Sequence, residues 1–243
     1  MAPTDMEEYR RLGGFDALRA CLGSSPEPSA ALAPEAIIAE LKTAFLRGRG
    51  GAGFPTALKW EAVRAAPGDL KYIICNGDEG DPGAFMDRMI LESYPFRVIE
   101  GMIIASLATG AQEGLFYIRA EYPLAVRRVE EALAHCLREG YLGKDILGSG
   151  HAFQVRVARG AGAFVCGEET ALIASLEGRR GSPVFRPPYP ARAGLHGCPT
   201  LVNNTETFAM VPWIMRHGGA AFAAIGTAQS KGTKVFSLAG KVA

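Results

Sequence analysis

Four short polar clusters contain the residues of this 243-residue chain that are best suited to chemistry. They combine glycines or amides with charged side chains, and they occupy residues 47–55, 76–83, 160–170 and 203–207. Glycine lets backbone approach a ligand closely or adopt a positive φ, and the 30 glycines of the chain are more than average usage predicts. Each cluster is ambiguous alone, but four of them at successive element junctions predict one convergent binding site.

The first cluster is a glycine-dense loop with backbone N–H groups available for binding. Gly48, Gly50 and Gly53 match G-x-G-x-x-G, yet a helical pattern precedes them and no acidic residue ends a second strand at the expected distance. The loop is therefore not a Rossmann dinucleotide fingerprint. Cationic side chains stand on both sides of it, at Arg47, Arg49 and Lys59. Such a loop suits a phosphate or the edge of a planar ring, and a tight structural turn is the alternative.

Carboxylates dominate the second and third clusters. Asp78, Glu79 and Asp81 stand within four residues at the end of a predicted strand, and Glu168 and Glu169 follow the glycines of the third cluster. Because they would repel a phosphate, we expect them to accept hydrogen bonds from ribityl or ribose hydroxyls or from ring N–H groups. A solvated acidic turn, or a helix start that favours acids, is the alternative. Residues 203–207 could likewise be a helix cap.

Alternating strand and helix patterns must position these clusters. Strands are predicted over residues 71–76, 114–119 and 153–158, and helices from residue 34, over 57–66, 95–108 and 122–139, and after 207 to 215. This alternation predicts an α/β fold, a mainly parallel sheet with helices on both faces. Ligands of such sheets bind at the carboxyl ends of the strands, which is where the polar clusters fall.

The two ends of the chain differ from this pattern. Residues 1–33, with a Ser-Pro stretch at 24–28, are expected to be a weakly ordered extension, and residues 34–228 to form the α/β domain. Residues 233–239 have the pattern of a further strand. We therefore expect residues 229–243 to begin a small, β-rich and incomplete second domain.

Charge and composition exclude several classes of function. Lys plus Arg is 26 against 25 Asp plus Glu, which gives no electrostatic case for a nucleic-acid or membrane partner. The longest apolar run, residues 101–108, is too short to span a bilayer, and the acidic N-terminus is not a secretory signal. We expect a soluble, cytoplasmic protein. Its five cysteines and four histidines show no ligand spacing, so no metal site is predicted and the thiols are expected to be reduced.

Taken together, the motifs resemble one family. They are residues 47–60 (RGRGGAGFPTALKW), 75–83 (CNGDEGDPG), 166–170 (CGEET) and 202–207 (VNNTET). They are similar to the flavoprotein subunit of respiratory complex I, to the diaphorase subunits of NAD-reducing hydrogenases and to the β subunits of NAD-dependent formate dehydrogenases. The resemblance extends over residues 34–243 and implies a Rossmann-like FMN-binding domain.

The resemblance implies hydride transfer between NAD(H) and bound FMN, without a side-chain nucleophile or general acid. It implies FMN contacts at Gly48, Arg49, Gly50, Gly51, Lys59, Asn76, Asp78, Gly167, Glu168, Asn203, Asn204 and Thr207. It implies NAD(H) contacts at Phe54, Glu79, Asp81, Glu169, Arg186 and Tyr189. Glu79 and Glu169 would orient the dinucleotide.

The family also implies partners. Its members continue into a ubiquitin-like domain, whose start residues 229–243 resemble, and into a helical domain that holds a 4Fe–4S cluster. They deliver electrons to iron–sulfur subunits, including a small 2Fe–2S subunit. Residues 81–88 and 94–97 are most similar to formate dehydrogenase β subunits. A non-catalytic FMN-binding or assembly subunit is the alternative function.

A few positions depart from the commonest family pattern. Asp81 stands in place of Glu, Phe164 in place of Tyr, and Arg186 and Tyr189 in place of Lys and Phe. We expect these changes to bear on NAD(H) affinity and on the choice between NAD and NADP, and to affect FMN binding little.

Overall fold

A parallel β-sheet forms the centre of the protein. The computed structural model describes residues 3–24, 30–160 and 162–241. Within them, four strands lie in the order β3-β2-β1-β4, and every neighbouring pair is parallel. The strands are β1 (Tyr72–Gly77), β2 (Glu113–Arg119), β3 (Gln154–Gly160) and β4 (Thr200–Asn204). The expected parallel α/β architecture is confirmed, and the four carboxyl ends meet at one edge of the sheet.

Helices surround the sheet. Those of the described residues are α1 (Met6–Arg11), α2 (Asp16–Cys21), α3 (Pro34–Ala44), α4 (Thr56–Ala65), α5 (Met86–Ser93), α6 (Pro95–Thr109), α7 (Pro123–Arg138), α8 (Glu169–Leu176), α9 (Thr205–His217) and α10 (Gly219–Ala223). Prolines at the first turn of α3, α6 and α7 suit these starts, because the first N–H groups of a helix have no partner within it. No helix in the described ranges has both the length and the apolar character needed to cross a membrane.

The two faces of the sheet are covered unequally. Ile73 and Phe116 point into a large core shared with α4, α6, α7 and α9. Their neighbours Ile74 and Tyr117 point to the other face, where they meet Leu172 of α8 in a smaller cluster. Strands buried on both faces need apolar residues at successive positions, which explains the unbroken apolar runs of β1 and β2.

Residues 3–24 form two helices, so the expected weak order is wrong for them. Glu100 of α6, which is 1% exposed, accepts hydrogen bonds from the Tyr9 hydroxyl (2.6 Å) and from the backbone N–H groups of Phe15 (3.0 Å) and Leu18 (3.1 Å). Phe15 also stacks on Tyr141 at 3.9 Å between ring centroids. These contacts are made across the fold, so local composition does not reveal them. Most of the Ser-Pro stretch lies outside the described residues.

Residues 233–239 do not form the expected strand. Val235 N–H donates to Glu206 Oε1 (2.8 Å), Lys234 pairs with the same carboxylate, and Ser237 Oγ accepts from Phe85 N–H (2.9 Å). The segment thus lies against the start of α9 and the turn before α5. A strand pattern needs a neighbouring strand to pair with, and the described part of the chain offers none here. The domain boundary at residue 229 remains a prediction.

Candidate functional site

A cleft of about 510 Å³ lies at the carboxyl ends of the strands. All four polar clusters contribute to it. Its walls are Arg49, Gly50, Gly51, Asn76, Asp78, Glu79, Gly80, Asp81, Met86, Asp87, Phe164, Val165, Gly167, Glu168, Asn204 and Lys234. A larger surface hollow of about 630 Å³, at the amino ends of β1 and β2, contains none of the predicted residues. We therefore place the candidate site in the cleft.

The glycine loop between α3 and α4 forms one wall. Gly48 N–H donates to Phe54 O (2.8 Å), and Arg49 N–H donates to the buried Thr207 Oγ1 (2.9 Å) in the first turn of α9. A Cβ at Gly50 would lie 3.2 Å from Asn204 Cβ, a tight contact, so this position favours glycine where the loop approaches β4. Gly51 has φ of +108° with no protein atom near a Cβ built there. Its open side faces the cleft.

Asp78 follows β1 and faces the cleft with unused hydrogen-bonding capacity. Asn76 Nδ2 donates to Gly167 O (2.8 Å), and its Oδ1 accepts from Asp78 N–H (3.0 Å), which fixes the backbone here. Both carboxylate oxygens of Asp78 are buried without a hydrogen-bond partner among the described residues. Burial raises the pKa of Asp78 to about 6, against the opposing effect of Arg119. Buried acceptors of this kind call for donors from a ligand.

Glu79 lines the cleft with its carboxylate engaged. Oε1 accepts from Met86 N–H (2.8 Å) and Oε2 from Arg88 N–H (3.1 Å), so Glu79 satisfies the free N–H groups at the start of α5. Its carbonyl accepts from the Tyr122 hydroxyl (2.8 Å) and from Arg119 Nη1 (3.1 Å). A dinucleotide contact would come in addition to these bonds, and the orienting role of Glu79 remains a prediction.

The two glutamates of the third cluster have different surroundings. Glu168 caps α8, where its Oε2 accepts from the N–H groups of Thr170 (2.9 Å) and Ala171 (3.0 Å). Glu169 lies between two cations: Oε2 accepts from Lys59 Nζ (3.0 Å) and Oε1 from Arg186 Nη1 (2.6 Å). The rim of the cleft therefore carries the ion-paired carboxylate of Glu169, and the wall carries the helix-capping carboxylate of Glu168.

Eight predicted site residues do not line the cleft: Gly48, Phe54, Lys59, Glu169, Arg186, Tyr189, Asn203 and Thr207. Asn203 and Thr207 are buried behind it, where Asn203 Oδ1 accepts from Trp60 Nε1 (2.9 Å). Their side chains support the wall, and the cofactor contacts that the resemblance implies for them remain a prediction. Phe54 and Tyr189 are more than half exposed, and the Arg186 guanidinium lies 5.8 Å from the Tyr189 ring centroid.

Asp87 and Lys234 line the cleft without having been singled out by the sequence. Asn204 Nδ2 donates to Asp87 Oδ2 (2.6 Å), and Lys234 pairs with Glu206. Burial, and next the charge of Glu79, raise the pKa of Asp87 to about 7. An acid in the first turn of a helix is ordinary, so nothing in the sequence marks Asp87 as buried. Lys234 comes from a segment far along the chain that only the fold brings to the site.

No group of three or more His, Cys, Asp or Glu side chains in residues 3–24, 30–160 and 162–241 is placed to hold a metal ion. The cysteines in these ranges are free, and burial raises the pKa of Cys75 and Cys136 well above that of an ordinary thiol.

Comparison with known proteins assigns the chain to a family. Residues 41–213 match a family described as the Nuo51 FMN-binding domain. This chain belongs to that family. The resemblance inferred from the four motifs is thereby confirmed.

Curated relatives extend over nearly the whole chain. It is 50% identical over 240 residues to the NADP-reducing hydrogenase subunit HndC of Solidesulfovibrio fructosivorans, covering 99% of this chain and 47% of that protein. It is 48% identical over 237 residues to an NADH-quinone oxidoreductase subunit of Rhizobium meliloti (strain 1021), covering 98% and 55%. The chain thus spans about half the length of the curated relatives it matches.

Solved structures share the fold. A crystal structure of NAD⁺-reducing NiFe hydrogenase in the H₂-reduced state superposes with a TM-score of 0.77 at 44% identity, covering 83% of this chain and 34% of that one. The air-oxidised state gives the same TM-score at 41% identity. The α/β architecture is therefore that of a hydrogenase chain.

Proposed function

We propose that this protein is the FMN- and NAD(H)-binding module of a larger electron-transfer complex. The observation that carries the proposal is the buried, unpartnered carboxylate of Asp78 in a cleft where four glycine- and acid-rich clusters meet. FMN, when bound, accepts a hydride from NADH and can release the electrons one at a time. The protein binds both cofactors, orients them for hydride transfer and limits access of water.

The cleft suits FMN in size and chemistry. About 510 Å³ falls within the range of small-ligand sites. The bare backbone of Gly50 and Gly51 allows a ring or phosphate to approach closely, while Asp78 offers acceptors to the hydroxyls of a ribityl chain. Arg49 and Lys234 supply the cationic side chains of the walls. We infer that Asp78 holds a hydroxyl or ring N–H of FMN.

The rim of the cleft suits a dinucleotide. Phe164 belongs to the wall yet is 66% exposed, and Phe54 and Tyr189 are exposed as well. Aromatic faces of this kind stack on nicotinamide or adenine rings. Glu169, held between Lys59 and Arg186, can accept hydrogen bonds from ribose hydroxyls. We infer that these residues, together with Asp81 and Glu79, would hold NAD(H).

The proposal extends to partners. Relatives of this chain are named as subunits of a hydrogenase and of an NADH-quinone oxidoreductase, which supports membership of a multi-subunit complex. Electrons would pass to iron–sulfur subunits, among them a small 2Fe–2S subunit. The similarity to formate dehydrogenase β subunits stays a prediction of the sequence.

The test is a visible spectrum of the purified chain with added FMN, followed by anaerobic titration with NADH. We expect a bound-flavin spectrum that bleaches on addition of NADH. A chain that binds FMN but does not respond to NADH would favour the alternative, a non-catalytic FMN-binding or assembly subunit. A chain that binds no flavin would overturn the proposal.

Two matched glycine variants locate the binding site. Gly51 and Gly143 both have strongly positive φ, at +108° and +121°, so alanine causes similar backbone strain at either position. A Cβ at Gly51, a residue of the cleft wall, meets no protein atom within 4 Å, whereas Gly143 does not line the cleft. We expect Gly51→Ala to weaken FMN binding and Gly143→Ala to leave it unchanged. Equal effects would place FMN elsewhere.

A further inference from the structure

Carboxyl groups outnumber cations in the walls of the cleft. Five acidic side chains line it, Asp78, Glu79, Asp81, Asp87 and Glu168, against the two cationic side chains of Arg49 and Lys234. A phosphate monoester such as that of FMN carries a charge of about −1.5 to −2 at pH 7. Binding of FMN therefore adds negative charge to a cleft in which acidic side chains already outnumber cationic ones. Nearby negative charge favours the protonated form of a carboxyl group, so the binding of FMN is expected to draw a proton into the site.

The structure distinguishes the carboxyl groups that can accept this proton. Glu79 and Glu168 each have a carboxylate oxygen or oxygens already engaged by two backbone N–H groups at a helix start. Asp81 is exposed, so water screens its charge. Asp87 differs from all three: it is 7% exposed and accepts one hydrogen bond, from Asn204 Nδ2. Asp78 is buried too, but we assign it to the ligand's own donors.

The surroundings of Asp87 contain more acids than bases. Several titratable groups interact electrostatically with Asp87. They are Cys75 of β1, Glu79 in the turn after β1, Tyr122 just before α7, Glu206 at the start of α9 and Lys234 of the C-terminal segment. Lys234 already pairs with Glu206. Of the arginines on helices packed against α5, Arg97 donates to Ala209 O and Arg128 donates to Glu92 O. The pKa of Asp87, raised by burial to about 7, agrees with this geometry.

Protonation of Asp87 need not disturb its neighbour. The amide of Asn204 is held by its own Oδ1, which accepts from the N–H groups of Glu206 (2.9 Å) and Thr207 (3.4 Å). The orientation of Nδ2 is therefore fixed whether or not Asp87 is charged. The effect of the proton is thus one of charge and leaves the shape of the cleft unchanged.

We propose that Asp87 is a further residue of the FMN site and takes up one proton when the phosphate-bearing cofactor binds. The inference rests on the proposed function. The proton comes from solvent and bonds to the carboxyl oxygen that does not accept from Asn204; it returns to solvent when FMN dissociates. Since the complex holds the proton more tightly than the free protein, FMN affinity is greatest below the pKa of free Asp87 and falls as pH rises above it.

The experiment compares FMN with riboflavin, which lacks the phosphate, on the full chain freed of flavin. Dissociation constants are measured by quenching of flavin fluorescence from pH 6.5 to 9, above the phosphate's own pKa near 6. We expect the FMN constant of the wild-type protein to rise roughly tenfold over this range, as a shift of one pKa unit requires. The riboflavin constant should stay level. Calorimetry in two buffers of different ionisation enthalpy counts the protons taken up.

Three variants complete the test. Asp87→Asn removes the charge and should give a level FMN curve, with tighter binding than wild type at pH 9. Glu92→Gln, on the same helix but outside the cleft wall, should keep the wild-type curve. Lys234→Met removes the cation that lowers the pKa of Asp87, so that pKa goes up and the rise should begin at higher pH. This shift still tests the inference if Asp87→Asn does not fold.

The outcomes separate the inference from the proposed function. A level FMN curve for wild type, with no proton uptake, overturns the role of Asp87 but leaves FMN binding standing. A wild-type slope that survives in Asp87→Asn assigns the proton to another group. The same slope with riboflavin shows that the phosphate charge is not its cause. No binding of FMN at any pH overturns the proposed function itself.

Discussion

Single side chains in the cleft are largely engaged with the protein before a ligand is considered. Glu79 and Glu168 accept hydrogen bonds from helix N–H groups, and Glu169 is paired with two cations. Asp78 is the contrast, because its buried oxygens lack partners in the described part of the chain. The sequence predicts which residue types gather at the site. It does not predict which of their atoms remain free, since that depends on helix starts and ion pairs formed by the fold.

Replacing Glu169 by Gln tests the proposed dinucleotide rim. The change keeps the size of the side chain but removes the anionic partner of Lys59 and the nearer of the two carboxylates paired with Arg186. We expect flavin reduction at low NADH concentration to slow by roughly tenfold, about 1.4 kcal/mol, while FMN remains bound. Stopped-flow bleaching against NADH concentration measures it. Glu177→Gln, which follows the last residue of α8 and is paired with Arg179, is the matched control and should behave as wild type. Loss of FMN from Glu169→Gln would show that the residue serves the flavin instead.

At the level of elements, the strong sequence patterns are confirmed and the weak ones are not. β1, β2 and β3 follow unbroken apolar or alternating runs, and α3, α6 and α7 follow proline starts and helical spacing, so each is predictable. β4 has only five residues and ends in two asparagines, so its sequence lacks a recognisable strand pattern. Residues 233–239 do not form the expected strand. A strand forms only when a second segment hydrogen-bonds to it, and the sequence pattern of one segment does not show whether such a partner lies beside it.

The hydrogen bond from Arg49 N–H to Thr207 Oγ1 connects the glycine loop to α9, and this connection can be tested. Thr207→Val removes the acceptor of Arg49 N–H, leaves that donor unsatisfied and frees the loop. We expect FMN affinity to fall about tenfold and the free energy of unfolding to fall by about 1–2 kcal/mol. Flavin titration and urea unfolding measure the two effects.

Thr109→Val is its control, because Thr109 is equally buried and lies within α6, where its hydroxyl donates to Ala105 O of the same helix. It should leave FMN binding unchanged. If the two variants lose FMN to the same extent, the connection to α9 does not position the loop.

In the molecule as a whole, buried glutamates attach both ends of the described chain to its body. Glu100 accepts hydrogen bonds from Tyr9, Phe15 and Leu18 of the N-terminal segment. Glu206 accepts hydrogen bonds from Lys234 and Val235 of the C-terminal segment. Both carboxylates are 1% exposed. These attachments explain why segments with weak local patterns adopt fixed positions.

Glu100→Ala tests the first attachment. It leaves two backbone N–H groups and a hydroxyl without their acceptor, so we expect the free energy of unfolding to fall by about 3 kcal/mol. Protease cleavage within α1 and α2 should become faster, while FMN binding persists because Glu100 does not line the cleft. Tyr9→Phe, which removes one of the three bonds, should cost about 1 kcal/mol. Unchanged proteolysis in Glu100→Ala would contradict an anchoring role.

The tether between the glycine loop and α9 also fixes an order of events during synthesis. Arg49 and its acceptor Thr207 are 158 residues apart, and β4, which carries Asn204, is likewise made after the loop. At about 5–20 residues per second, the ribosome makes Thr207 roughly 8–30 s after the loop. During that interval the nascent loop lacks the support that shapes it. Under the proposed function, cofactor loading therefore follows the synthesis of α9.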